Sequence, residues 1–263
     1  MLAGVPEILE VERYRRAAEP LTGRTIRAVE APDDWYLKRG LTPAEVIAAL
    51  TGQRVAGVRR RGKLLMVDTD GPVLGLRFGM TGRLLVDGEA PVAELEYGPE
   101  RMEPGWRRFG LSFVEGGSLA VDDARRLGGV ELWPNEAALG PDALSITRRQ
   151  VAAALDGGRA PVKAALLDQG RVAGIGNLLA DEVLWRAGID PARPAGTLAA
   201  DEVAALHRVI RRTLPQLMRR GGSHMGDLQL ARQRGAMCPR DGSPLDRRTI
   251  GGRTTYSCPA HQR

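Results

Sequence analysis

Cysteine is scarce in this chain: Cys238 and Cys258 are the only two among 263 residues, and both lie near the C-terminus. That excludes the disulfide framework of a small secreted domain, and the length allows one large domain or two ordinary ones, each with its own core. Lysine is scarce too, because only Lys38, Lys63 and Lys163 interrupt a basic set of 38 that is otherwise arginine. With so much Ala and Gly alongside, the arginine bias by itself is equally the mark of a GC-rich genome, so the three lysines are the more informative residues. No apolar run is long enough to span a bilayer, and the first residues lack the basic-then-apolar layout of a secretion signal. The expectation is a soluble cytoplasmic protein. No internal repeat is visible. What the chain has in excess is positive charge: a formal +6 favours a polyanionic partner, since phosphates attract Lys and Arg at long range and release counterions when bound.

The apolar pattern changes character along the chain. Residues 7–18 read as an amphipathic helix, with Ile8, Leu9 and Val11 on one side and Glu10, Arg13, Arg15 and Arg16 largely on the other. A strand at 25–31 and a helix at 43–50 follow. From Arg54 to about Trp133 come short alternating or apolar runs (V-A-G-V, L-L-M-V, V-L-G-L, R-L-L-V, L-S-F-V, S-L-A-V) with turn residues between them, which is the pattern of a β-sandwich or barrel. After Pro134 the segments are helical, at 147–155, 161–168, 177–187 and 199–218, the last with Val203, Leu206, Ile210, Leu214 and Leu217 at helical spacing. A break at Gly221-Gly222 leads to the cysteine-bearing tail. The layout predicts an α+β chain with pieces at 1–136, 137–225 and 226–263.

In that tail, C-P-R-D at Cys238 to Asp241 and C-P-A-H at Cys258 to His261 share one internal spacing, one knuckle at each end of an expected β-hairpin. Four ligands at two tight turns suit a structural, tetrahedral zinc ion, which can tie down a tail too small to bury its own core. Cys238, Cys258 and His261 are ordinary zinc ligands, and Asp241 is a less usual one. The plainer reading is two incidental buried thiols with His261 solvated near the terminus, but the matched turns favour zinc.

Several stretches together resemble the bacterial formamidopyrimidine-DNA glycosylase and endonuclease eight-like family, which removes damaged bases from DNA. They are P-E-I-L-E-V-E from Pro6, R-G-K-L-L at Arg61 to Leu65, G-M-T-G at Gly79 to Gly82 and D-A-R-R-L-G at Asp123 to Gly128. V-K-A-A-L-L-D-Q at Val162 to Gln169, V-A-G-I-G-N-L-L-A-D-E at Val172 to Glu182 and G-R-T-T-Y-S-C ending at Cys258 complete the set, which spans nearly the whole chain in the family's order. The resemblance implies an N-terminal β-sandwich domain with a leading helix, a helix-two-turn-helix domain and a zinc hairpin. Double-stranded DNA carrying damaged or abasic sites would lie in the cleft between them, bound by a monomer in the bacterial cytoplasm, at the nucleoid when on DNA.

The resemblance also assigns roles. A base in a duplex must be flipped out before its sugar carbon can be attacked. The family attacks with the secondary amine of an N-terminal proline, here Pro6, and Glu7 matches the acid that protonates the sugar ring oxygen; alone, a Pro-Glu pair would read as a helix start. An α-amino group, with a reference pKa near ~8, keeps a useful unprotonated fraction at neutral pH. Lys63, at a hairpin turn, matches the lysine that contacts phosphate at the lesion. Asn177 opens a helix where its amide and the first backbone N–H groups can hold a phosphate, and Arg253 matches a phosphate-binding arginine of the hairpin. Lys163 joins the DNA-binding set. Met80, Arg125 and Leu127 match the side chains that fill the gap left by a flipped base, although leucine can wedge but not stack. A second R-R-F-G at Arg107 to Gly110 is a decoy, because it precedes the hairpin that ends in the true motif; Phe109 is expected in the core or at a strand start rather than in the gap.

Three departures carry weight. Arg77 stands where many members have histidine, and would supply a further phosphate contact. The stretch 221–238 is shorter than in typical formamidopyrimidine glycosylases, whose loop covers an everted oxidised purine, which argues against a preference for 8-oxoguanine. An internal Pro6 is a tertiary amide with no nucleophilic lone pair. Either Val5 is a start codon read as methionine and removed to expose Pro6, or the protein binds damaged or abasic DNA without catalysis. An RNA-binding module would leave Pro6-Glu7 and the Met80/Arg125 pair unexplained.

Overall fold

The computed structural model describes residues 6–92 and 103–263, which form two compact units. The first comprises residues 10–136; the second comprises 137–263 together with 7–9. The two units meet at residues 136 and 137, and the hairpin counts with the helical unit. The reading of Val5 as the start lies outside the described residues.

Helix α1 (Ile8–Ala18) leads into the first unit, where β1 (Ile26–Glu30) and α2 (Pro43–Leu50) precede the strand-rich segment. Strands β2 (Val55–Arg61), β3 (Leu64–Thr69), β4 (Leu74–Arg77), β5 (Arg83–Val86), β6 (Arg107–Phe113), β7 (Ser118–Asp122) and β8 (Gly129–Leu132) follow. They pair antiparallel in two four-stranded sheets, ordered β1-β6-β7-β5 and β2-β3-β4-β8. Both sheets contribute to one core, in which Leu65, Val67 and Leu76 meet Phe109, Leu111, Phe113 and Val121, and Tyr14 of α1 lies 4.6 Å from the Phe78 ring. Phe109 is therefore a core residue, as its place before the hairpin implies. Strand β8 escapes the sequence pattern because Glu131, buried and paired with Arg39 and Arg77, breaks the apolar run of G-V-E-L.

One expectation for α1 fails. Glu10, assigned to the polar side, is fully buried, and so are Ile8, Leu9, Val11 and Tyr14; within the helix only Arg16 is exposed. A helix covered round most of its circumference has no solvated face for a 3.6-residue period to report.

The second unit holds α3 (Arg148–Leu155), α4 (Val162–Leu167), α5 (Asn177–Ala187) and α6 (Ala200–Arg220). Helix α3 starts at a capping box, in which Thr147 accepts the Gln150 N–H and Gln150 reaches back to the Thr147 N–H. Gly188, at φ 72°, ends α5 in the left-handed conformation that favours glycine. Val151, Leu166, Leu179, Val183, Leu206, Ile210 and Leu214 form this unit's core, into which Ile8 and Leu9 also pack. The tail is the hairpin β9 (Asp246–Ile250) and β10 (Arg253–Ser257), turned by Gly251 and Gly252 at positive φ. No helix among the described residues is long and apolar enough to cross a membrane.

Candidate DNA-repair site

The backbone at the start of α5 is organised by Glu7. Its two carboxylate oxygens accept the N–H groups of Gly176 (2.8 Å), Leu178 (2.8 Å) and Leu179 (3.2 Å), and the side chain is buried at the positive end of the helix dipole. Gly176 permits this approach, since a Cβ there would stand 2.2 Å from Glu7 Cδ. Gly174, at φ 112°, likewise leaves room for Ile8, whose N–H donates to the Gly174 carbonyl at 3.1 Å. Pro6 is thereby attached to a residue fixed by three hydrogen bonds. The arrangement narrows the expectation for Asn177: Glu7 takes the N–H groups of Gly176, Leu178 and Leu179, so those three are not the ones offered to a phosphate.

Asn177 is partly exposed, and its Nδ2 donates to the Thr254 carbonyl at 3.1 Å, next to Arg253. Arg253 is exposed at the start of β10. The same carbonyl receives Lys163 Nζ at 3.3 Å, and Lys163 also donates to Thr255 Oγ1 at 2.7 Å. Lys163 is 0% exposed, so the DNA contact expected of it is corrected: its ammonium pairs with Asp181 Oδ1 at 2.7 Å. Burial pushes its pKa down, and the Asp181 carboxylate offsets part of that shift. Asp181 also pairs with Arg232 and accepts the Tyr256 N–H at 3.2 Å, while the Arg232 guanidinium lies 5.5 Å from the Tyr256 ring centroid. The buried pair thus joins α4, α5 and the hairpin beside Asn177 and Arg253.

In the first unit, Lys63 occupies the tight β2–β3 turn after Gly62 (φ 57°) and is partly exposed. Met80, also partly exposed, and Thr81 lie in the turn between β4 and β5. Arg125, Arg126 and Leu127 are exposed on the turn between β7 and β8, Leu127 to 48%. These two turns are joined. Thr81 donates to Asp123, whose carboxylate also accepts the N–H groups of Arg125 (3.2 Å) and Gly128 (2.9 Å). A Cβ on Gly79 would stand 2.5 Å from the Leu127 carbonyl carbon. Arg77, on β4, gives its Nε to Glu131 at 3.0 Å; Glu131 is buried and also pairs with Arg39, so the charge of Arg77 is matched inside the unit.

The tail brings Cys238, Asp241, Cys258 and His261 together, with one ligand atom from each lying within 4.8 Å of the others. Both thiols are buried, and burial raises the pKa of Cys258. His261 Nε2 lies 3.2 Å from the Trp185 carbonyl, which leaves Nδ1 turned to the cluster, 2.6 Å from Asp241 Oδ2 and 3.9 Å from Cys238 Sγ. An imidazole held by a backbone acceptor on its far nitrogen is the usual support of a metal-bound histidine. Trp185 Nε1 and the Arg240 N–H point at Cys238 Sγ at 3.3 and 3.4 Å, as donors do toward a thiolate. These four side chains can hold a metal ion.

Residues 5–130 match the formamidopyrimidine-DNA glycosylase N-terminal domain, and residues 139–228 match the formamidopyrimidine-DNA glycosylase H2TH domain. The chain belongs to the formamidopyrimidine-DNA glycosylase family. It is 39% identical to the formamidopyrimidine-DNA glycosylase of Paracoccus denitrificans, covering 98% of this chain and 100% of that protein. With the enzyme of Chloroflexus aggregans it shares 35% identity over 98% of both chains. Among solved structures, Lactococcus lactis Fpg bound to DNA with an abasic site superposes with a TM-score of 0.81 at 26% identity, over 98% of this chain and 99% of that one. The same glycosylase bound to DNA containing FAPY-dG gives a TM-score of 0.81 over 98% and 100% of the chains.

Sequence reading missed the residues that hold the candidate site residues of this glycosylase family member in place. Asp123 was legible as the first letter of D-A-R-R-L-G, but nothing marked Thr81 as its partner. Asp181 sits in the A-D-E of the H2TH motif, four positions after Asn177 and thus on the same face of α5, yet its pairing with Lys163 spans eighteen residues and leaves no local signal.

Proposed function

We propose that this protein excises oxidised bases from duplex DNA through the amine of Pro6 and then cleaves the strand by elimination. The observation that carries the mechanism is the seating of Glu7 on three N–H groups at the start of α5, which fixes the residue joined to Pro6. The amine nitrogen attacks C1′ of the flipped nucleotide, the N–C1′ bond forms, and the bond to the damaged base breaks, the departing base taking a proton from solvent water. Glu7, an acceptor in the resting arrangement, takes the proton the amine sheds. It passes that proton to the sugar ring oxygen as the ring opens to the imine-type intermediate. Loss of a C2′ proton then expels the 3′-phosphate.

Lys63, Asn177 and Arg253 hold phosphates, and Met80, Arg125 and Leu127 fill the gap in the stack. Arg77 adds a weaker phosphate contact, shared with Glu131. The cluster of Cys238, Asp241, Cys258 and His261 would hold a structural zinc ion, which supplies no chemistry to excision and fixes the hairpin that carries Arg253. The protein works as a monomer on damaged or abasic DNA in the bacterial cytoplasm.

The mechanism needs Pro6 as a free secondary amine, so the active form is the chain that begins there. Borohydride should trap that form covalently on DNA with an oxidised base or abasic site, and a form carrying residues before Pro6 should give no adduct. Absence of trapping by the Pro6 form on every such substrate would leave only a DNA-binding protein.

A further inference from the structure

The R-R-F-G run at Arg107 to Gly110, set aside as the gap-filling motif, lies against the turn that does carry it. Strand β6 has an irregular register with β7 between Arg107 and Phe109, a bulge of the kind that re-aims a side chain. Arg108, at the irregular position, donates its Nε to the Asp123 carbonyl at 2.8 Å. Its Nη1 lies 3.3 Å from Asp33 Oδ2. The other oxygen of Asp33 pairs with Arg126, a residue at φ 56° between the exposed Arg125 and Leu127. Asp33 and Arg108 are nearly enclosed, at 6% and 13% side-chain exposure, while Arg126 is 46% exposed. Tyr36, two residues before Lys38 and fully buried, closes the arrangement: its hydroxyl lies 3.4 Å from the Arg77 carbonyl, and a Cβ on Gly128 would meet that hydroxyl at 2.2 Å.

We propose that Asp33 and Arg108 are positioning residues that set the gap-filling turn, holding Arg126 inward so that its neighbours Arg125 and Leu127 project outward. The inference rests on the reading of Met80, Arg125 and Leu127 as the side chains that enter the stack. The left-handed backbone at Arg126 is unfavourable for a side chain that bulky, and an enclosed carboxylate bonded to its guanidinium is what offsets the cost. Arg108 is needed because one carboxylate must be fixed on both sides. Its planar fork reaches Asp33 with one nitrogen and the Asp123 carbonyl with another, a bridge that a lysine with a single nitrogen cannot make. The links from Asp123 to Thr81 then carry the same constraint to the turn of Met80. None of these groups needs to touch DNA for the turn to depend on them.

The test uses the full chain and needs no catalysis. A duplex carrying a tetrahydrofuran abasic analogue opposite 2-aminopurine reports insertion, because unstacking the 2-aminopurine raises its fluorescence. The wild-type protein should prefer this duplex to an undamaged one and raise the signal. D33N, R108A and R126A should bind undamaged duplex as the wild type does, lose the preference by about tenfold and lose most of the signal, while R108K keeps an intermediate response. R126A matters because its half-exposed side chain can be removed without opening the core. The proposal is overturned if the variants keep both preference and signal. It is equally overturned if affinity for undamaged duplex and the melting temperature fall along with the preference, which is what a role confined to holding the fold would produce. A wild-type protein with no preference for the abasic duplex would instead sink the gap-filling reading itself.

Discussion

Lys163 and Asp181 place opposite charges in the interior of the second unit, both 0% exposed. A buried ion pair adds little net stability because desolvation consumes most of the Coulomb attraction, but removing one partner strands the other. The two partners are not equivalent. Asp181 faces both Lys163 and Arg232, so K163M leaves the carboxylate with a cation, whereas D181L leaves the fully enclosed ammonium with the Thr254 carbonyl, the Thr255 hydroxyl and the more remote charge of Glu7. D181L should therefore cost about 3–5 kcal/mol and K163M roughly 1–3 kcal/mol. Urea unfolding of the two variants would measure this, and equal costs, or a costlier K163M, would show that Arg232 does not hold the carboxylate. Asp33 is a different kind of buried carboxylate. Burial raises its pKa, but the Arg126 hydrogen bond and the charges of Arg126 and Arg108 together hold it below its ordinary value, so it stays ionised where the protein works.

At the scale of elements, the start of α5 concentrates what positions Glu7. Three N–H groups that a helix leaves unsatisfied are given a carboxylate from a residue 169 to 172 positions away, so the helix is capped from the far end of the chain. G176A tests whether that seat matters. Gly176 has an ordinary φ of −114°, so alanine meets no backbone strain there, and the nearest atoms its Cβ would meet belong to the Glu7 side chain, Cδ at 2.2 Å first. Excision by the folded protein, assayed well below its melting temperature, should fall by about a hundredfold, and the melting temperature should fall as well, because shifting Glu7 leaves N–H groups of α5 without their acceptor. An active G176A would mean that Glu7 works equally well off the helix. The sequence made the outline of these elements legible. Helices α2 and α5 begin and end where capping residues and apolar spacing put them, and five of the eight sandwich strands appear as short apolar runs or as the predicted 25–31 strand within a residue or two, while V-A-G-V stops three residues short of the end of β2 and L-S-F-V covers only half of β6. Apart from the meeting of the two ligand-bearing turns, what it hid was the pairing of side chains between elements. Glu7 with Gly176, Lys163 with Asp181, Arg108 with Asp123 and Asp33: each joins residues whose separation follows from the fold and not from any local period. Glu10 was misplaced for the same reason, since helical periodicity locates a solvated face only where one exists.

For the whole molecule, the tail decides whether the hairpin residues act as part of one protein. Cys238, Cys258, Trp185 and Leu228 make a small apolar cluster of their own, too few side chains to order a hairpin unaided. The four-ligand cluster is the added tie. It should hold about one zinc per chain, and the ligands must shed protons to bind it, so affinity for the metal falls as the solution is acidified. Stripping the metal with a strong chelator at neutral pH should loosen β9 and β10, because the ties that remain are the ladder itself, the contacts to α4 and α5, the Arg248–Asp190 pair and the Arg232–Tyr256 contact, none of which joins the two ligand-bearing turns to each other. Arg253 would then lose its fixed position. If it binds one phosphate, the stripped protein should show a salt dependence of DNA affinity shallower by about one unit of log K per log salt, since each neutralised phosphate contributes roughly 0.9. R253A should show the same shallower slope with the metal in place, and chelation of R253A should change the slope no further. Metal analysis of the purified protein, with binding isotherms at several salt concentrations, checks all three. A protein that carries no zinc, or one whose salt slope survives chelation while R253A lowers it, would mean that the hairpin is held by its packing on α5 rather than by a metal.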